Sequence, residues 1–518
     1  LFTTIFETLI QIKKIANQTI EVLNSTYGYF IPFGLIIISV AINSYFDPYG
    51  GITLDAPWYL KLSQSIADDK GFNVLSPDYQ FYFDYHFFHL WPPLYPLCIG
   101  LLSKLTSIPI WFSFKLVNLI FIFFAFRKIH KYFNQYSLVF LSLFFGGYML
   151  DMYYQCWSEV PLICVFSLYF IELQKLQISN NVTIKNIIKL SLYNLVLVGI
   201  RYQAIIAILG LAVFAIKFYK QRDFKNFKYL VWTCIFLFIV EVVFIYANYF
   251  IWNKIHYNVP LDFSVIKDII ATISIQFFNQ INFLFCQSIT AWFLLPISII
   301  AAYILYSKTI IKKTGSFYPN ALAISVGCMG ILYITLPILM RANNAIGIAH
   351  YRFYSVAIFC LFWSILSIYI YSKRIHINIY LILFMCVSFF INTFGKNYYI
   401  AKVKNIQNFA SRFEEINKKY SHIPDKSIVV FADKWIEFIR PEIESISPYE
   451  NIMGDLSLPI DSFIAKLKLQ PKDIYIEVIK KEDLRVKRYH KSVELYMQKH
   501  QAEEFVKITS SKNLKLNK

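Results

Sequence analysis

Residues 51–72 read GITLDAPWYLKLSQSIADDKGF, directly after the apolar run IPFGLIIISVAINSY at 31–45. With its flanks that run has the makings of a membrane span. The stretch after it carries Asp55, Lys61, Asp68, Asp69 and Lys70 and leads into FDYHFFHLWPPLYPLCIG at 83–100. Asp55 stands about nine residues beyond the end of the first apolar run. At that spacing it stays close to the membrane surface, where a lipid headgroup lies.

Composition identifies the solvent. Of 518 residues, 57% are hydrophobic, 19% aromatic and 16% charged, against roughly 25% charged in soluble domains. Mean hydropathy is +0.49. The chain is therefore read as a polytopic α-helical membrane protein. Its formal charge of +18 does not point to nucleic acid, because Lys and Arg fall in short clusters between apolar runs, as topology determinants do. All eight cysteines lie in or beside apolar runs, with no CxxC. A disulfide framework or a zinc site is excluded on that pattern.

Residues 1–28 place Ile5, Leu9, Ile12, Ala16, Ile20 and Leu23 at helical spacing with Lys13 and Lys14 among them, the pattern of an amphipathic helix lying on the cytoplasmic face. Apolar stretches follow at about 29–46, 110–126, 135–150, 158–173, 187–200, 202–218, 229–250, 287–306, 317–340, 351–371 and 378–395. Basic clusters test the topology: Arg127/Lys128/Lys131, Lys175/Lys185/Lys189, Lys217/Lys220/Arg222/Lys225/Lys228, Lys308/Lys312/Lys313 and Lys373/Arg374. All five share the side of Lys13 and Lys14 only if residues 91–108 do not cross the membrane. Pro92, Pro93 and Pro96 also suit the start of a surface or re-entrant helix better than a mid-membrane position.

This predicts about 11 spans in a transmembrane catalytic domain at 29–395, with an outer loop at 47–109. From 396 the pattern changes. SIVVFA, DIYIEVI and EFVKIT alternate like strands, whereas KWIEFIRPEI and KSVELYMQKH read as helices. Residues 396–518 are expected to form a small C-terminal α/β extracytoplasmic domain.

Polar residues without a topological purpose collect on the predicted outer face. Asp55, Asp84, His86 and His89 share the first loop, and DMYYQCWSEVP brings Asp151 and Glu159 to the same side. Each acid taken alone is read equally well as a solvated loop residue. Together with Arg201, Arg341, His350 and Arg352 at the same level, the set fits the transfer of a sugar from a lipid phosphate. Phosphate leaves readily but needs cations to hold its charge, and the acceptor hydroxyl needs a base, which a carboxylate supplies. Arg201 interrupts a continuous apolar stretch from 187 to 216, so either a tight turn or a buried pairing is required there. Glu241, in FIVEVVF, is an intramembrane acid for which a partner or an aqueous cavity is expected. DFSVIKDIIATISIQFFNQINFLF, within 251–286, reads as an amphipathic helix that roofs a cleft or lies on the membrane. No Walker loop, GxGxxG, HExxH or GxSxG in a plausible context occurs, which leaves soluble nucleotide-sugar chemistry without a home.

The run LDAPWYLKLSQSIADDKGF, then WPPLYPLCIGLL, a basic turn, and WSEVPLICVFSLYF resembles the glycosyltransferase family 39 branch of the GT-C superfamily. Protein O-mannosyltransferases and lipid A aminoarabinose transferases are its well-known members. The resemblance covers about residues 30–400 in layout, with its motifs between 51 and 170. It implies a polytopic core with outer juxtamembrane helices and an inverting transfer from a polyprenyl-phosphate carrier. It further implies that Asp55 matches the catalytic acid of the first loop and that Glu159 matches an Asp of the second. Arg201 and the RFYSV stretch from Arg352 correspond to basic positions for the lipid phosphate. One departure stands out: the aminoarabinose enzymes carry a Lys just before the proline of the juxtamembrane helix, where this chain has Trp91.

The expected function is an inverting glycosyltransferase of a bacterial inner membrane, working on the outer face. Its partners would be a polyprenyl-phosphate-linked sugar and a glycan, lipid or protein acceptor. Asp55 and Glu159 are the catalytic candidates, with no dedicated metal site, although the two acids have the donor chemistry to hold a divalent cation. The alternatives are an oligosaccharide polymerase or ligase of the same fold, and a secondary transporter or flippase coupled through Glu241 and Arg201.

Overall fold

The computed structural model describes residues 22, 25–47, 50–51, 56–77, 83–88, 91–250, 273, 275, 280, 320–342, 352–371, 378–425, 427–430, 436–440, 443–446, 473–478 and 491–508. The predicted helix at 1–28 lies almost wholly outside these residues. So do the apolar stretch at 287–306 and nearly all of the 251–286 loop.

The protein is a helical membrane protein. Among the described residues, five helices are long and apolar enough to cross a bilayer: Ile110–Phe133, Glu159–Ser179, Tyr202–Lys220, Phe224–Asn248 and Leu381–Val403. Shorter apolar helices include Phe30–Phe46, Leu94–Thr106, Ala321–Thr335 and Tyr354–Ser367. Leu94–Thr106 has 13 residues, about 20 Å at 1.5 Å per residue, which falls short of a hydrocarbon core of about 30 Å. The apolar stretch at 135–150 is one run in sequence but three pieces in space. These are Ser137–Ser142, a 3₁₀ turn at Leu143–Phe145, and Gly147–Met152, broken at the extended Gly146.

The chain divides into two compact units. The first comprises Leu1–Gly51, His89–Tyr95 and Phe114–Ile406. Water does not drive helices together inside a bilayer, so close packing and polar contacts must do so. Both are present. Gly330 lets the Ala321–Ala342 helix approach Arg352–Tyr371, since a Cβ there would meet the Ala357 carbonyl at 3.0 Å, and Ser364 Oγ donates to the Ala323 carbonyl at 2.6 Å. The Phe30–Phe46 and Leu381–Val403 helices are joined by a polar ladder. Thr393 Oγ1 donates to Ser39 Oγ at 2.8 Å, and Asn397 Nδ2 to Asn43 Oδ1 at 2.6 Å. An aromatic cluster of Phe133, Phe140, Phe170, Phe359 and Trp363 fills the centre.

The second unit comprises Ile52–Phe88, Pro96–Ser113 and Gln407–Lys518. Strands β1 (Asn73–Pro77) and β2 (Phe83–Phe87) pair antiparallel, Asn73 opposite Phe87. The Ala56–Ala67 helix packs at Gly100, where a Cβ would come within 2.6 Å of the Ser63 carbonyl. Among the described residues, four further strands form a second sheet. Strand β3 (Ile428–Val430) lies parallel to β4 (Glu444–Ile446) and β5 (Ile474–Glu477), and β6 (Phe505–Ile508) closes the edge antiparallel to β5.

Glu241, on the Phe224–Ile245 helix, is 1% exposed, and neither carboxylate oxygen makes a hydrogen bond among the described residues. The partner that an intramembrane acid calls for is not supplied as a hydrogen bond. Burying a carboxylate this way is costly, and an amide of the same shape removes the charge. Glu241→Gln is expected to hold or raise the melting temperature in detergent and to leave the protein's activity within about twofold of wild type. A large loss of activity at unchanged stability would instead make Glu241 a working proton site.

Candidate functional site

The Glu159–Ser179 helix begins, the Ile184–Ile200 helix ends and the Arg352–Tyr371 helix begins at one place. Each end carries a charged residue. The sequence locates these breaks. Pro161 in the first turn fits a helix start, where its missing N–H has no partner to lose. Arg201 leaves the helix in extended conformation (φ −154°, ψ 123°), and a 3₁₀ turn at Tyr202–Ala207 follows. Both readings of the Arg201 interruption hold together: the chain turns there, and the side chain is buried in a pair.

Arg201 is 2% exposed and Glu159 1%. Arg201 Nη1 donates to Glu159 Oε1 at 2.7 Å and to Ser158 Oγ at 3.0 Å, and its Nε donates to Gln203 Oε1 at 2.7 Å. Gln203 is in turn reached by the Tyr333 hydroxyl at 3.4 Å. Arg352, also 2% exposed, brings Nε to 4.0 Å from the same Glu159 Oε1 and stacks over the Trp157 ring, 5.4 Å to its centroid. Two guanidinium groups therefore converge on one carboxylate. Glu159 Oε2 is buried and accepts no hydrogen bond among the described residues.

The electrostatics favour an anion. Arginine does not lose its charge in proteins, so two cations face one carboxylate in a water-poor setting. The N-terminal ends of the Glu159–Ser179 and Arg352–Tyr371 helices add positive potential. Guanidinium groups bind phosphate through paired N–H donors. The pairing with Glu159 also fixes where Arg201 points.

The structure brings Glu159, Arg201 and Arg352 together. Asp151, at the other side of the same turn, pairs with Lys396, and the Tyr154 hydroxyl donates to Asp151 Oδ1 at 3.2 Å. Arg341 lies on the Ala321–Ala342 helix, eight residues beyond Tyr333. Asp84 and His86 occupy β2 opposite Ser76 and Val74. Asp55, His89 and His350 lie outside the described residues. No group of three His, Cys, Asp or Glu side chains meets at metal-binding distance among the described residues. Arg201, the cation of the alternative coupling pair, is engaged by Glu159. Sequence reading missed Ser158, Gln203, Tyr333 and Trp157, which orient the two arginines. Ser158 and Trp157 adjoin Glu159, and Gln203 follows Arg201 by two positions, so adjacency was the available signal.

No family profile matches the sequence, and no curated protein matches it. Among solved structures, the chain is similar to ArnT from Cupriavidus metallidurans bound to undecaprenyl phosphate. The match has 11% identity and a TM-score of 0.43, covering 87% of this chain and 93% of that one. The apo form of the same enzyme gives 12% identity and a TM-score of 0.42 over the same shares. The archaeal oligosaccharyltransferase AglB from Archaeoglobus fulgidus, in complex with an inhibitory peptide and a dolichol-phosphate, gives 11% and 0.38, covering 94% of this chain and 75% of that one.

Proposed function

We propose that the chain is an inverting glycosyltransferase that moves a sugar from a polyprenyl-phosphate carrier to an acceptor hydroxyl at the outer face of a bacterial inner membrane. The observation that carries this reading is the buried Arg201–Glu159–Arg352 cluster, two guanidinium groups on one carboxylate. The order of motifs from Asp55 to Glu159 supports it.

In this mechanism the acceptor oxygen attacks the anomeric carbon while the bond from that carbon to the phosphate oxygen breaks. The phosphate departs with the electron pair, and Arg201 and Arg352 balance its growing charge. The hydroxyl proton passes to the Asp55 carboxylate. Glu159 holds Arg201 through Oε1, and its Oε2 accepts a hydroxyl from donor or acceptor. No step needs a metal. A divalent ion held by Glu159 would compete with Arg201 for the same carboxylate.

The test is transfer of label in membranes containing the protein, supplied with polyprenyl-monophosphate sugars and, separately, polyprenyl-diphosphate glycans. Turnover of the monophosphate donors alone is the expected result. Turnover of diphosphate donors alone would make the protein a polymerase or ligase. Movement of intact donor across vesicle membranes without bond cleavage would replace the transferase by a flippase.

A further inference from the structure

The turn between Met152 and Glu159 delivers Trp157, Ser158 and Glu159 to the arginines, yet no regular element holds it. Its middle is pinned from outside. Cys156 N–H donates to the Gly51 carbonyl at 3.1 Å. Asn118 Nδ2, from the Ile110–Phe133 helix, donates to the carbonyls of Tyr153 at 3.1 Å and Gln155 at 3.0 Å. Asn118 Oδ1 accepts from the Tyr95 hydroxyl at 2.9 Å. Both carbonyls can only accept, so the amide has one orientation that satisfies all three partners. Asn118 is 0% exposed, and an acid in its place would set a carboxylate against two carbonyl oxygens.

Gly51 completes the contact. It has φ +85°, and a Cβ there would fall 1.9 Å from the Tyr154 carbonyl oxygen. Only glycine lets the two backbones come this close. The start of the turn is tied separately, by Asp151 to Lys396. Asn118 thus fixes the middle through carbonyls that lie three to six residues before Ser158 and Glu159.

We infer that Asn118 is a positioning residue for the transfer site: through the carbonyls of Tyr153 and Gln155 it holds the turn so that Ser158 and Glu159 meet Arg201. The kinetic half of this rests on the transferase reading, whereas the holding of the turn does not. Asn118 touches neither donor nor acceptor in this scheme. Its effect runs through Glu159, and a shift of about 1 Å at a reacting centre costs on the order of 100-fold in rate.

Cys156 reports on the turn independently of activity, since it is 0% exposed and sits between the two pinned carbonyls and Ser158. The experiment uses the full chain in nanodiscs. Maleimide labelling of Cys156, mapped by mass spectrometry, is followed beside transfer kinetics. Asn118→Ala and Asn118→Asp are expected to speed labelling of Cys156 at least about tenfold and to lower kcat by about 10–100-fold. Adding Glu159→Gln to Asn118→Ala should lower kcat no further than Glu159→Gln alone, because both act on one arginine. Tyr95→Phe removes the hydroxyl that orients the amide and that also lies against the Cys156 thiol, so it is read by kcat: a smaller loss of the same kind decides the matter if Asn118→Ala does not fold. Protected Cys156 in every variant overturns the inference, as does an opened turn with wild-type kcat. Multiplicative losses in the double variant would make Asn118 a structural residue with no line to Glu159. If the wild type transfers no sugar from any donor, the transferase reading fails and takes the kinetic half with it. Cys156 labelling then decides whether Asn118 holds the turn at all.

Discussion

Arg201→Met is expected to cut sugar transfer by about 100- to 1000-fold, the scale set by losing one donor aimed at a developing negative charge. It should also cost about 3–5 kcal/mol of stability, because it leaves the Glu159 carboxylate buried without its closest cation. The geometry explains why both losses come from one side chain. Arg201 Nη1 binds Glu159 Oε1 and Ser158 Oγ while its Nε binds Gln203, so nothing shorter or differently forked satisfies all three. Arg201→Lys keeps the charge but offers a single point of donation; it should recover part of the stability and little of the activity. The deciding variant is the double replacement Arg201→Met with Glu159→Met. Removing both charges of a buried pair is far cheaper than removing one, so the melting temperature should return most of the way to wild type. Transfer should not return. A double variant that regains transfer together with stability would show that the pair is structural and that the phosphate is held elsewhere, with Arg341 the first place to look.

The helical frame is legible in hydropathy because spans are long and their apolar character is averaged over many residues. The apolar stretch predicted at 187–200 is the helix Ile184–Ile200, and the predicted stretch at 202–218 continues as Tyr202–Lys220. Arg201 is legible for the opposite reason: a single guanidinium in an apolar stretch is so costly that a turn or a pairing has to be present. The alternating runs SIVVFA, DIYIEVI and EFVKIT contain β3, β5 and β6. Strand β4, Glu444–Ile446, reads ESI and offers a single apolar residue, so no apolar run marks it. The β1–β2 ribbon was also missed, although FDYHF in β2 alternates apolar and polar residues; β1, NVLSP, ends in a proline and has no such period.

What escaped is the small polar chemistry that joins distant segments. Asn118 meets carbonyls 35 and 37 positions away, and Asn43 meets Asn397 across 354. An Asn or Ser in an apolar run is unremarkable in sequence, since the cost of one amide is modest and tolerated. Its meaning comes only from the carbonyl or amide that faces it. The same holds for Asp151. Its position in the second predicted outer loop marks it as a candidate binding acid, and its pairing with Lys396 is concealed by sequence distance. Charged residues in apolar runs could be picked out one by one; the partners that assign their tasks could not.

Asp55→Asn is expected to remove about 100-fold or more of the transfer rate while donor binding and protein level stay near wild type. Asparagine matches the carboxylate in size and keeps one acceptor oxygen, but it cannot take the acceptor proton at neutral pH. The donor phosphate is held in this scheme by Arg201 and Arg352, so retention of labelled lipid phosphate by the variant should be unchanged. This split between rate and binding distinguishes a base from a residue that merely shapes the loop. The reciprocal variant, Arg352→Met, should weaken retention of lipid phosphate first, because it removes a cation that faces Glu159 and leaves the base in place. Unchanged transfer in Asp55→Asn would refute its role as base. The proton would then go to Glu159 through Oε2, which is buried with no hydrogen bond among the described residues, or to Asp84 on β2. Asp84→Asn and Glu159→Gln separate these two, since only the second also disturbs Arg201. A loss confined to Asp84→Asn would move the base onto the β1–β2 ribbon while leaving the arginines their hold on the phosphate.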